Sequence, residues 1–127
     1  MILLLDTSTP VCKMWLHLEK VHTYEWQADR TLARDLLGYL RDRLAEHGAQ
    51  FSDISGIGVF RGPGSFTGLR IGMTVLNTLA DSLVVPIVAE AGENWREVAV
   101  RRLDSGESDH IVLPEYGGEA NITKPKK

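Results

Sequence analysis

The most informative stretch of this 127-residue chain is Arg61-Gly62-Pro63-Gly64-Ser65-Phe66-Thr67-Gly68-Leu69-Arg70. The preceding residues, Ile57-Gly58-Val59-Phe60, are short and apolar, as in a buried strand. After the run, apolar residues recur at helical spacing to about Leu83. The sequence therefore predicts a strand, a glycine-rich turn and a helix over 65–83.

The turn is predicted to be structural. Glycines permit backbone angles that a side chain forbids, and the proline fixes one φ between two of them. Ser65 or Thr67 can cap the helix by accepting hydrogen bonds from its free N–H groups. The residues given this structural role are Gly62, Pro63, Gly64, Ser65, Thr67 and Gly68.

A phosphate-binding role for the turn is the alternative, because helix N-termini attract anions. The segment Thr67-Gly68-Leu69 lacks the lysine of a Walker loop. The segment 64–68 places its second glycine one position too late for a nucleophile elbow. These spacings favour a turn that lets helix and strand pack closely, and leave the phosphate role as the less favoured reading.

Composition bounds the class of protein. The length suits one domain, and 43% hydrophobic residues are typical of a globular chain. A net charge of −3 gives no general attraction for nucleic acid. The apolar start, 1–5, is too short for a signal sequence, and no stretch approaches membrane-spanning length. With a single cysteine, Cys12, no internal disulfide can form, so we expect a cytoplasmic protein without a membrane contact.

The remaining elements follow from periodicity. A continuous apolar run and two alternating runs predict an antiparallel meander over 2–5, 12–18 and 21–26. Leucines spaced by four predict an amphipathic helix over 30–48. Further strands are predicted over 54–60 and 84–89, and a third helix over 93–103. Because parallel crossovers are right-handed, a strand order 3-2-1-4-5 places helices one and two on one face and helix three on the other.

Asp6-Thr7-Ser8 after strand one, this helix order, and the run 61–70 continued by Ile71-Gly72 together resemble the TsaB (YeaZ) family. That family is the non-catalytic partner of TsaD in making threonylcarbamoyladenosine (t6A) in transfer RNA. The resemblance covers about residues 1–90. It implies an α/β fold: an actin-like/Hsp70-like ATPase (ribonuclease H-like) lobe with a mixed five-stranded sheet and helices on both faces.

The domain organisation expected from the resemblance is a short form. The family normally carries two lobes, whereas this length fits one. We expect a single TsaB-like N-terminal lobe over 1–116 and a basic tail over 117–127. The tail, which ends in Lys124-Pro125-Lys126-Lys127, can add a salt-sensitive contact to transfer RNA or serve only as a solubilising end.

The function implied by the resemblance is a scaffold that binds and activates a TsaD-like enzyme through helices one and two. A second apolar stripe on helix two supports such a surface, unless helix one covers it. The predicted interface consists of Leu36, Leu40, Gly68, Ile71, Gly72, Val75 and Thr78. A TsaE-like ATPase can join the complex, the free chain can form a homodimer, and transfer RNA is met only indirectly. No cofactor, metal or catalytic residue is expected in this chain.

The alternative function is a small nucleotide-binding or hydrolysing enzyme of the same fold. Asp6, Thr7 and Ser8 would form a thin metal site, and Asp6 and Thr7 are better suited to satisfying their own turn. The four histidines include no pair one helical turn apart, although His17 and His22 can face each other across a hairpin as a surface pair. Ser65 has no histidine near it in sequence, and Cys12 is predicted to be an inert core thiol.

Overall fold

The structure, a computed structural model, describes residues 1–115, except for the side chain of Asp29. A mixed sheet organises this part of the chain, in the order β3-β2-β1-β4-β5. Its strands are β1 (Ile2–Asp6), β2 (Val11–His17), β3 (Val21–Gln27), β4 (Gly56–Phe60) and β5 (Ile87–Glu90). The pairs β1–β2 and β2–β3 are antiparallel, and β1–β4 and β4–β5 are parallel. The predicted order is confirmed, and the predicted tail over 117–127 lies outside the described residues.

Three helices cover the two faces of the sheet. They are α1 (Leu32–Ala45), α2 (Phe66–Leu83) and α3 (Trp95–Asp104). Leu3 and Leu5 of β1 belong to one core cluster with residues of α1 and α2. Leu4, between them, packs in a second cluster with Trp95 and other residues of α3. Successive strand residues point to opposite faces, so the alternation confirms that α1 and α2 share one face and α3 lies on the other.

The predicted boundaries shift where local backbone geometry intervenes. The strand predicted over 84–89 begins at Ile87, because Val84 is the left-handed C-cap of α2 with φ +58°. The strand predicted from 54 begins at Gly56, because Ile54 ends a short 3-10 turn, Phe51–Asp53. A similar 3-10 turn precedes α1. Within residues 1–115, no helix is long and apolar enough to cross a membrane.

Candidate partner-binding surface

The glycine-rich turn fits against the loop that follows β1. Ser65 caps α2, since its Oγ accepts a hydrogen bond from the Gly68 amide at 3.2 Å. The Ser65 amide donates to the Ser8 carbonyl at 2.8 Å. A Cβ on Gly64 would lie 2.4 Å from the Ser8 Cβ, and Gly62 has φ +113°. The Gly62–Pro63 peptide bond is cis. These contacts support the structural role predicted for the turn.

The first two turns of α2 also press on that loop. A Cβ on Gly68 would lie 2.3 Å from the Thr7 carbonyl oxygen, and one on Gly72 would lie 2.3 Å from Thr7 Oγ1. Both glycines are therefore close-contact points inside the chain. Gly72 is buried, so its assignment to the partner interface is wrong. The small residue is needed there because α2 packs directly against the loop that follows β1. Gly68 is only partly buried and also lines the cleft described below.

Both leucines assigned to the interface face the core instead. Leu36 and Leu40 have 0% exposure and pack in the cluster beneath α1. They cannot contact a partner on this surface, because the leucines spaced by four form the side of α1 that faces the sheet. Leu37, one position off that stripe, is 48% exposed. The sequence signal was present, since an apolar residue beside a complete stripe must lie on another side of the helix.

The remaining predicted interface residues lie on the outer side of α2. Ile71 and Val75 contact the core but keep part of their surface exposed, and Thr78 is exposed. Helix α1 thus covers these two apolar side chains only in part. Between the helices is a groove of about 190 Å³. We call this region the α1–α2 surface; it comprises Ala33, Leu37, Ile71, Thr74, Val75 and Thr78.

A larger cleft, of about 790 Å³, lies next to the groove between the starts of α1 and α2. Its apolar lining includes Pro10, Leu32 and Ile71, and its polar lining includes Arg30 and the threonine and serine hydroxyls of Thr9, Thr31, Ser65 and Thr67. Cys12 is also in the lining, but it is 1% exposed. Burial, with a smaller contribution from Asp6, raises the pKa of its thiol to about 12, so the thiol stays protonated near neutral pH.

The other candidates for chemistry are occupied by structural contacts. Asp6 Oδ1 accepts hydrogen bonds from the Ser8 amide at 2.8 Å and the Ser8 hydroxyl at 2.6 Å, as predicted for a self-satisfied turn. Thr7 differs from that prediction: its hydroxyl donates to the Gly68 carbonyl of α2 at 2.8 Å. In the part of the chain that the structure describes, no group of three or more histidine, cysteine, aspartate or glutamate side chains could hold a metal ion.

The predicted pairing of His17 with His22 is wrong. In the β2–β3 register His22 is opposite Leu16, and His17 is opposite Val21. The two histidines therefore lie on opposite faces of the sheet. The ring of His22 instead lies 4.3 Å from that of His47, centroid to centroid, at the end of α1. A one-residue register difference moves a side chain to the other face, and the turn between these strands has no residue pattern that fixes the register.

Several known proteins are similar to this chain, and one family match covers the region that holds this surface. A family model described as TsaD, tRNA N6-adenosine threonylcarbamoyltransferase, matches residues 26–90, about half of the chain. The tRNA threonylcarbamoyladenosine biosynthesis protein TsaB of Haemophilus influenzae is 36% identical over 89 residues, and that of Escherichia coli is 33% identical over 88 residues. The chain belongs to the TsaB (YeaZ) family.

The fold agrees with TsaB (YeaZ) membership. The solved structure of YeaZ from Pseudomonas aeruginosa superposes with a TM-score of 0.66 at 36% identity, covering 76% of this chain and 49% of that one. The fold is an α/β actin-like lobe. The alignments with the Haemophilus influenzae and Escherichia coli proteins each cover 68% of this chain, but only 37% and 38% of those relatives. The TsaB-family chain thus spans less than half the length of these relatives.

Proposed function

We propose that this TsaB-family chain is a non-catalytic scaffold that binds and activates a TsaD-like enzyme in t6A modification of transfer RNA. The observation that carries the proposal is the α1–α2 surface, where two neighbouring helices leave apolar side chains exposed around a groove. The biosynthetic role named in the relatives supports the pathway. The cytoplasm, where transfer RNA is modified, is the proposed location.

Packing of two further helices on this surface would form a four-helix contact. Leu37 and Val75 can act as knobs, and the groove beside Ile71 can receive a side chain of the partner. Complete burial of a leucine or valine side chain contributes about 1.5–3 kcal/mol, so a few half-exposed residues supply a useful part of the binding free energy. Activation then requires that the partner's productive conformation bind this surface better than its unproductive one.

Further parts of the proposal concern other partners. A second copy of the chain offers the same helices, so the free protein can self-associate through a two-fold contact that the TsaD-like partner replaces. A TsaE-like ATPase is proposed to join the complex through the partner, and transfer RNA is contacted by the partner.

The second candidate function is a small nucleotide-binding or hydrolysing enzyme, favoured by the cleft at the start of α2. Two observations weigh against it. The Asp6 carboxylate already accepts a hydrogen bond from the Ser8 hydroxyl, and the hydroxyls of Thr9 and Thr31 already donate to backbone carbonyls. Stoichiometric binding of ATP at micromolar concentration, abolished by Asp6→Ala, would favour this candidate.

The test compares two valine-to-glutamate changes on the same chain. Val75→Glu places a charge in the α1–α2 surface, whereas Val84→Glu places it at a residue that is 88% exposed at the far end of α2. Each variant is mixed with the TsaD-like protein of the same genome, and complex mass and t6A formation are measured. We expect Val75→Glu to lose both and Val84→Glu to retain both. Equal behaviour of the two variants would contradict the proposal.

A further inference from the structure

The cleft adjoins the groove of the α1–α2 surface, and we call the two depressions together the trough. Ile71 lines both, so the two depressions meet at its side chain. Leu32, Ile71 and Val75 supply apolar lining along its length. The trough runs from the start of α1 to the middle of α2, and its groove is part of the proposed interface.

Two arginines supply the charge of the trough, and no carboxylate lines it among the residues that the structure describes. Arg30 is exposed beside the start of α1 and makes no ion pair with any described side chain. Arg70 lies on α2 with its guanidinium over the Phe66 ring, 5.1 Å from the centroid. The trough therefore combines an apolar lining with two cationic groups that no described carboxylate neutralises.

The neighbouring arginines of α1 behave differently. Arg34 pairs with Asp35 at 2.8 Å, Arg41 with Asp42 at 3.2 Å, and Arg43 with Glu46 at 3.0 Å. Each arginine within α1 thus has a carboxylate in its own helix or at its end. In this region of the described chain, the two arginines of the trough have no carboxylate partner, so their charges are available to another molecule.

We propose that the partner bound to the α1–α2 surface places an acidic segment in this trough, with aspartate or glutamate side chains against Arg30 and Arg70 and an apolar side chain against Ile71. This inference rests on the proposed function and adds the chemistry of the partner. Exposed ion pairs contribute little affinity alone, but at the edge of an apolar contact they set orientation, partner choice and association rate. Arginine suits this task because its planar group can hold a carboxylate by two parallel hydrogen bonds.

The experiment uses the full chain and the TsaD-like protein of the same genome. Arg30→Glu, Arg70→Glu and the double variant are compared with Arg96→Glu. Arg96 is a matched control, because it too is an exposed helical arginine stacked on an aromatic ring, 4.5 Å from Trp15, but on α3 across the sheet. Dissociation constants and association rates are measured at about 50 mM and about 300 mM salt.

We expect each charge reversal in the trough to weaken binding by about tenfold or more at low salt, and Arg96→Glu to match the unchanged chain. The double variant sets like charges against each other, so its affinity should rise with salt, whereas that of the unchanged chain should fall. If Val75→Glu prevents binding while the arginine variants bind normally, the proposed function stands and this inference fails. If inorganic phosphate or acetate stabilises the free chain thermally, and Arg30→Glu removes that effect without changing partner affinity, the arginines serve a small anion and the inference is overturned.

Discussion

The Thr7 hydroxyl donates a 2.8 Å hydrogen bond to the Gly68 carbonyl, linking the loop after β1 to the first turn of α2. Thr7 is almost fully buried, at 1% exposure. Gly68 brings the helix against the Thr7 carbonyl and Gly72 brings it against the Thr7 side chain, with no room for a Cβ at either position. The glycines of the sequence run therefore fix the height of α2 above the sheet, and with it the position of Ile71 and Val75 on the outer side.

Substitution of Gly72 tests this contact. We expect Gly72→Ala to destabilise the fold by about 1–3 kcal/mol, because the new methyl group would overlap Thr7 Oγ1. In the Thr7→Ala background, which removes Oγ1 and Cγ2, the same change should cost less, giving a double-mutant coupling. The control is Gly38→Ala on α1, where a Cβ would meet only the Arg41 side chain at 3.7 Å. Denaturant unfolding measures all four variants; the control should be neutral or stabilising by up to about 1 kcal/mol.

Adjacent leucines on α1 should separate stability from binding. Leu36→Ala is expected to cost about 2–5 kcal/mol of folding free energy, because Leu36 is wholly buried. Leu37→Ala should change stability by less than about 1 kcal/mol, because half of its side chain is already exposed, yet should weaken partner binding. Thermal unfolding and partner titration of both variants check this. Equal stability losses would place Leu37 in the core.

Asn77 joins α2 to the segment that follows α3. Its Nδ2 donates to the Val112 carbonyl at 3.0 Å, and its Oδ1 accepts from the Val112 amide at 2.9 Å. We expect Asn77→Ala to cost about 1–3 kcal/mol, since it leaves both backbone groups of the buried Val112 without these partners. Hydrogen exchange should show the loss at the Val112 amide. The nearby Thr78→Ala, which removes only a bond to the helix's own Thr74 carbonyl, is the control and should leave that amide protected.

His17 predicts a pH dependence of stability. Burial lowers its pKa from the ordinary value of 6.5, Arg96 lowers it further, and Asp104 acts in the opposite direction. Because the unfolded chain takes up the proton first, this residue's contribution to stability is present above pH 6.5 and is lost as the pH falls toward the lower folded pKa. Denaturant unfolding from about pH 7.5 to about pH 5.5 should show a fall that is smaller in His17→Gln. A fall of the same size in both proteins would assign the pH dependence to other groups.

The order of the sheet and the placement of the helices followed from the sequence because period and handedness constrain them. Leu3, Leu4 and Leu5 give their strand apolar side chains on both faces of the sheet, as a central strand requires. The glycine-rich run marks the start of the helix that links two parallel strands. The interface was harder to predict, because periodicity identifies an apolar stripe but not which stripe faces the sheet. Leu36 and Leu40 were placed outside for that reason, and Leu37 was missed.

Contacts between segments that are distant in sequence could be predicted even less well from the sequence. No local pattern links Asn77 to Val112, since their bond depends on how the segment after α3 returns along α2. No sequence pattern indicated that Gly72 approaches Thr7, although the glycine suggested a close contact with some other surface. The trough depends on tertiary structure in the same way, because Arg30 and Arg70 are forty positions apart in sequence and line adjoining depressions.

The most direct test of the α1–α2 surface is calorimetric titration of the TsaD-like protein of the same genome into Leu37→Glu and Leu113→Glu. Both leucines are exposed, at 48% and 70%, but only Leu37 belongs to the surface. We expect Leu37→Glu to raise the dissociation constant at least about tenfold, a loss of about 1.4 kcal/mol, while Leu113→Glu binds as the unchanged chain does. Normal binding by Leu37→Glu together with weakened binding by Leu113→Glu would rule out the α1–α2 surface as the partner interface.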